Sequence, residues 1–425
     1  MGVTELVLND IELGSAAIKA KNISFSYGSE QGPIYSIKIE DLEILYSLEQ
    51  LQKKRVQSAS AKKVIVTEIK AGVPASAGNL KKNYLTIPNL KIPLESAQVE
   101  ALELTISVMP NDAVLSFNGH VEYTDATLKL YPQSQLKYEI TSDTKPVDVE
   151  LRNISDVVLS QTDNDHAVSI NPFKIKLDVT QLLAPLNVSE IKIDFDPIVI
   201  SQKGMNINSH LVSLFSLPGY KGLESNSFRT DMSLALNEVA GLSFALKNTQ
   251  LDSFGGQILF SAINYKPSNN STTFLITLKN IDLKNIFDLY PDHNISGTGE
   301  LSGKLPVQIK NNVVTISDGK LESSKKGGVL KSDLSGWVAA HPDNKGIIFA
   351  ADALRNFHYT VLKSAVEYDK AGKLKAAVSL TGSNSEKPNG QLYNLNINIE
   401  ENIPALIRTL ELVHGDSKAL KNQIK

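Results

Sequence analysis

The chain has 425 residues, with 43 basic and 46 acidic side chains and a formal net charge of −3. That balance leaves no concentrated basic field for a nucleic-acid track. The absence of cysteine removes disulfides, thiol nucleophiles and thiolate metal sites, and suits an oxidising compartment such as a periplasm.

The opening MGVTELVLNDIELGS lacks the basic and apolar regions of a secretory signal. Leu6 stands where a myristoylation signal needs Ser or Thr. No apolar run reaches the ~18 residues that would span a bilayer. The clean start on a strand pattern favours a chain that begins after an anchor.

Taken in order, the elements are mostly strands. Ile44, Leu45, Leu48 and Leu51 predict a first short helix, before the isolated basic triplet Lys53-Lys54-Arg55. Phe173, Ile175, Leu177 and Val179 alternate with Lys174, Lys176 and Asp178, and Ile191, Ile193 and Phe195 alternate with Lys192 and Asp194. Period two makes each strand apolar on one side only. Leu211, Leu214 and Phe215, stopped by Pro218-Gly219, predict a second helix. Ile258 and Phe260, and then Phe274, Ile276 and Leu278, continue the strands. Leu283, Ile286, Phe287 and Tyr290 predict a third helix, ended by Pro291.

The stretch Gly297–Leu330 carries glycines that invite comparison with phosphate loops. A dinucleotide fingerprint needs a helix after its glycines, but Leu305, Val307 and Ile309 follow with strand period. A P-loop ending at Gly303-Lys304 would need Gly at 298 and Ser or Thr at 305, where Thr298 and Leu305 stand. The glycines punctuate strands. Val378 and Leu380, and then Tyr393, Leu395, Ile397 and Ile399 against Asn394, Asn396 and Asn398, read as further strands. Ile403, Leu406, Ile407 and Leu410 predict a terminal helix. Turn signals such as Asp318-Gly319 and Pro342-Asp343-Asn344 separate the strands at roughly 8–14 residues.

This pattern predicts a mainly β fold, an elongated and curled antiparallel sheet with a few short amphipathic helices. Residues 71–83 and 203–230 are the loop-rich places for an insertion or a break. Catalytic constellations are lacking. The seven histidines show no HxH or HExxH spacing. Asp163-Asn164-Asp165 lacks the Gly and Glu of a calcium loop, and no GxSxG occurs. We therefore expect neither an enzyme nor a cofactor or metal site. One-sided strands are buried either by a second sheet in a filled sandwich or by a ligand in an apolar groove. Alternation alone does not separate the two, because both use the same residue types.

A resemblance bears on that choice. LKNIFDLY, GTGELSGKLPVQI, ISDGKL and KKGGVL resemble the C-terminal region of YdbH-type proteins, within the AsmA-like and TamB-like bridge lipid-transfer group. ALRNFHYTVLKSAVEYDKAGKLKAAVSLTGSN and GQLYNLNINIEENIPALIRTL are similar to that region's later strands and closing helix. ELVLNDIELGSAAIKAKNISFSY resembles the opening strands of such chains. The resemblance divides the chain into an N-terminal AsmA-like segment (1–70), a middle sheet (71–282) and a YdbH-type C-terminal region (283–425).

It implies intermembrane phospholipid transport across the periplasm of a Gram-negative bacterium. Acyl chains would travel in a sheet groove towards the outer membrane. It also implies an inner-membrane anchor through an N-terminal helix absent here, and a small outer-membrane lipoprotein partner at the C-terminal end. The alternative is a TamB-like scaffold that pairs with client strands. The groove candidates are Phe173, Ile175, Leu177, Ile191, Ile193 and Phe195, then Ile258, Phe260, Phe274, Ile276 and Leu278, and finally Leu305, Val307, Ile309, Val378 and Leu380. Tyr393, Leu395, Ile397 and Ile399 are the partner-edge candidates.

Overall fold

The structure is a computed structural model. It describes residues 2–28, 34–70, 94–108, 113–124, 126–141, 146–153, 156–161, 167–178, 187–201, 204–216, 226–237, 241–266, 269, 271–288, 295–311, 313–387 and 391–402. The fold is mainly β and mostly antiparallel, with a few short helices. The chain divides into two compact units that exchange segments between residues 183 and 242.

The first unit begins with β1 (Gly2–Leu13), β2 (Ala17–Gly28), β3 (Ile34–Leu45), the short helix α1 (Leu48–Gln52) and β4 (Val56–Lys70). β5 (Leu94–Val108), β6 (Ala113–Thr124) and β7 (Thr127–Thr141) follow. These strands pair in chain order, antiparallel except that β4 and β5 run parallel, with Val64 opposite Leu102. The expected break at 71–83 is therefore not a break in the pairing, which closes on the far side of it.

β7 then forks. Its second half pairs with β8 (Pro146–Asn153), which leads to β11 (Phe173–Asp178) and β12 (Asn187–Phe195). Its first half pairs with β9 (Val157–Gln161), which leads to β10 (Val168–Ile170), β13 (Ile198–Ser201) and β14 (Gly204–Ser216).

One helix expectation in this part of the chain is shortened and another fails. Ile44 and Leu45 belong to β3, and α1 begins only at Leu48, where the Ser47 side chain caps it by accepting from the Gln50 N–H at 3.3 Å. Leu211, Leu214 and Phe215 lie in strand β14, not in a helix. Strand alternation is hidden there because Ser209 and Ser213 occupy the buried positions.

Segments of β14 and β15 (Asn226–Asn237) contribute to both units. The second unit continues with β16 (Gly241–Ser253), β17 (Gly256–Phe260), β18 (Ile263–Tyr265), β19 (Ser271–Asp282), helix α2 (Leu283–Phe287) and β20 (Ile295–Gly297). β21 (Glu300–Lys310), β22 (Val313–Ser323) and β23 (Gly328–Ser332) precede a helical hairpin, α3 (Ser335–Ala340) and α4 (Lys345–Leu354). β24 (Phe357–Tyr368), β25 (Lys373–Asn384) and β26 (Leu392–Asn402) complete the described strands.

The antiparallel order in this unit is β16, β17, β19, β21, β22, β24, β25, β26. The third helix expectation holds over Leu283–Phe287, started by the Asp282 side chain accepting from the Lys284 N–H at 2.9 Å. Asp318-Gly319 is not a hairpin turn. It is a bulge inside β22, with Asp318 at φ 56° and a register shift between Ile316 and Gly319. Pro342-Asp343-Asn344 joins two helices rather than two strands. Asn344 caps α4, its Oδ1 accepting from the N–H groups of Gly346 and Ile347 at 3.0 and 3.2 Å. The expected terminal helix at Ile403–Leu410 lies outside the described residues.

The second unit has a filled core. Leu283, Leu301, Leu330, Leu362, Leu380 and Leu395 pack around Phe357, which is fully buried, and Ala353 and Leu354 of α4 cover them. α2 contributes Leu283, with Ile286 and Phe287 packed alongside.

Candidate functional site

The first five strands lack such a core. Among their described residues only Ala20 and Ala61 are buried apolar side chains. Their Ile, Leu and Val residues are half-buried or exposed, up to 77% at Leu13. Large aliphatic side chains in a folded sheet ordinarily lie in the interior.

Directly opposed residues on neighbouring strands share a face, so the register defines where these side chains go. Leu8, Ile23, Ile39, Val64 and Leu102 oppose one another in turn from β1 to β5. Phe25, Ile37, Val66 and Leu104 form a parallel row from β2 to β5. A longer row starts Leu13, Ile18, Ile44, Ala59, Ala97 and Tyr123. It continues through Leu128, Leu159 and Ile170 to Ile198. This row is open at Leu13 and closed at Tyr123 and Ile198, which are buried.

Keeping these rows on one side requires a correction to strict alternation. The apolar phase slips by one residue between Ile11 and Leu8, between Ala20 and Ile23, and between Leu42 and Ile39. The three slips sit at one level, because Ile11, Ala20 and Leu42 are opposed, as are Leu8, Ile23 and Ile39. Asp10 and Asp41 take φ values of 53° and 52° at that level. The pairing skips both residues and resumes in the same register on either side of them. Sequence reading missed this face, and the signal available was that shared slip beside an acidic residue.

The other side of the same strands is charged. Lys19 pairs with Glu43 at 2.9 Å and Lys63 with Glu103 at 2.8 Å. Each lysine's pKa is raised, first of all by the hydrogen bond to its glutamate. These are solvated pairs of small energetic weight. Their consequence is orientation: one face is wet, the other apolar.

The residues singled out in the sequence fall into four places. Phe173 stacks on Phe195 with ring centroids 4.5 Å apart, and Ile175 opposes Ile193 and Leu177 opposes Ile191, all between β11 and β12. Lys174 pairs with Asp194 at 2.7 Å on the opposite side.

A second group lies on one face of β17, β19 and β21. Phe260, Ile276 and Leu305 form one row, and Phe274 and Val307 the next, with Ile309 opposite Thr272. Ile258 opposes Leu278, which opposes Gly303. Of the apolar side chains here only Val307 is buried, and the rest are half-buried.

Leu380 is in the third place, at 1% exposure inside the helix-covered core, with Val378 packed against that core. The fourth is β26, which among the described residues pairs only with β25. There Tyr393 and Leu395 are buried, Ile397 is half-buried and Ile399 is exposed.

His120 Nε2 and the Tyr131 hydroxyl hold the Glu122 carboxylate at 3.2 and 2.9 Å on β6 and β7. The Glu122 pKa is lowered, first by Tyr131 and then by His120. Among the described residues no group of three or more His, Asp or Glu is placed to hold a metal, and no helix is long and apolar enough to cross a membrane.

The motif glycines have a different role. Tyr359 is 2% exposed and donates to the Thr298 carbonyl at 2.8 Å. A Cβ at Gly299 or Gly328 would run into its phenol. Gly299 holds φ 114° and Gly327 φ 64°, values that suit glycine alone or nearly so.

Comparison with curated proteins and with solved structures finds no match. Residues 223–425 match the family described as YdbH-like, intermembrane phospholipid transport protein YdbH. They include β15 to β26, with the helix-covered core and the glycines around Tyr359. The resemblance read from LKNIFDLY, GTGELSGKLPVQI and KKGGVL is thereby borne out over residues 223–425.

Proposed function

We propose that the chain is a non-enzymatic conduit for phospholipid in the periplasm, carrying acyl chains on apolar sheet faces towards the outer membrane. The observation that carries this reading is the one-sided apolar face of β1–β5, whose large side chains stay half-buried or exposed. Hydrocarbon laid against it gains roughly 0.8 kcal/mol per CH₂ removed from water. Headgroups stay in solvent at the margin, so no chemistry is asked of the protein. The faces of β11–β12 and of β17, β19 and β21 offer the same surface. We place the transported chains on Phe173, Ile175, Leu177, Ile191, Ile193 and Phe195, and on Ile258 to Leu278 and Leu305 to Ile309.

The edge of β26 supports a partner at that strand. A small lipoprotein could add a strand there, beside Tyr393, Leu395, Ile397 and Ile399. The same edge also supports a scaffold that pairs with client strands.

Photocrosslinking tests the conduit. A photoreactive residue at Ile39 should label with phospholipid, and one at the neighbouring Lys38, on the charged side, should not. Equal labelling at both positions, or none at Ile39, overturns the reading.

A further inference from the structure

A cleft of about 810 Å³ opens between the α3–α4 hairpin and the β20–β23 ladder. Two cations enter it from different elements, Lys331 from β23 and Arg355 from the C-cap of α4. Ser296 stands directly opposite Lys331, so both project on the same side of the ladder, and Ser332 adds a second hydroxyl. Among the described residues neither Lys331 nor Arg355 makes an ion pair. Asp333 is the carboxylate in the lining. Its Oδ1 accepts from the Ser335 N–H at 2.9 Å, and its pKa is lowered first by that bond and further by the Arg355 charge. Val338 and Ala351 supply an apolar wall.

Two cations and two hydroxyls set against one carboxylate suit an anion of phosphate type: guanidinium grips two oxygens at once and ammonium adds a point charge. The apolar wall says that the anion carries hydrocarbon.

We infer that this cleft is a phosphate-headgroup site, in which Lys331 and Arg355 hold the phosphodiester of a phospholipid and Val338 and Ala351 lie against its glycerol and acyl base. The inference rests on the conduit reading for the source of the lipid. The cleft gives such a lipid a polar resting place beside the filled core, where the buried Leu380 and Phe357 leave no apolar surface free.

The test is titration calorimetry with monomeric dihexanoyl phosphatidylglycerol and, separately, inorganic phosphate. The short lipid should bind about tenfold tighter than phosphate. Lys331→Gln combined with Arg355→Gln should weaken lipid binding about tenfold. The single variants carry the same readout if the double variant does not fold. Equal affinity for phosphate and lipid would make this a free-phosphate site and overturn the lipid assignment, as would wild-type lipid affinity in the folded variants. Labelling at Ile39 separates the two claims. Lipid there with a silent cleft sinks the cleft alone, and a saturable cleft with unlabelled Ile39 supports the cleft and removes the conduit.

Discussion

The phenol of Tyr359 donates to the carbonyl of Thr298 at 2.8 Å, joining β24 to the turn between β20 and β21 across 61 positions of sequence. Gly299 and Gly328 press against that phenol from both sides. Tyr359→Phe leaves the Thr298 carbonyl without this donor. We expect a loss of about 1–2 kcal/mol in chemical denaturation, and a larger loss for Gly299→Ala, which adds a clash and a strained φ. An unchanged midpoint in Gly299→Ala contradicts this packing.

Burial pushes the Tyr359 pKa up to about 12, with the Asp282 charge adding in the same direction. Below the ordinary phenol value of about 10 the group is protonated both folded and unfolded, and its contribution is complete. Above that, the unfolded phenol ionises first, so stability drains between about pH 10 and 12, by up to about 2–3 kcal/mol. Tyr359→Phe should flatten that part of a stability–pH curve. A variant that keeps the full alkaline slope places its origin elsewhere.

Phe357 and Ile39 should respond differently to substitution. Phe357 is wholly enclosed, so Phe357→Ala costs about 3–5 kcal/mol. Ile39 is half-buried on an open face, so Ile39→Glu costs only about 1–2 kcal/mol. It should nevertheless sharply reduce bound phospholipid in the folded protein, measured by extraction. Wild-type lipid content in Ile39→Glu removes the face from the transport path.

At Ile397 two effects coincide, because it is half-buried and packs against the filled core beside Leu395. Ile397→Asp should lower stability, read as the thermal midpoint, and hinder a strand-adding partner. A folded variant with an unchanged midpoint and normal lipid content assigns that side of β26 no inward role.

Much of the strand content was legible, since β11, β12, β19 and β26 announce themselves by strict alternation. α2 announced itself by helical spacing. What escaped did so for physical reasons. The face of β1–β5 is built on a phase slip at Asp10 and Asp41, which breaks the alternation a reader counts. β14 hides serines where apolar residues are expected, which left Leu211, Leu214 and Phe215 looking helical. The α3–α4 hairpin begins at no clear apolar period, and its turn residues signal an interruption without saying what they join. The glycines of GTGELSG and KKGG were correctly read as punctuating strands. Their packing on Tyr359 was beyond local reading, because the tyrosine lies some sixty residues away.

The most direct measurement is native mass spectrometry of the purified chain with lipid extraction. The conduit predicts co-purifying phospholipid, in more than one copy per chain, lost or reduced in Ile39→Glu. A well-folded chain that carries no lipid would contradict it and leave a scaffold as the stronger reading.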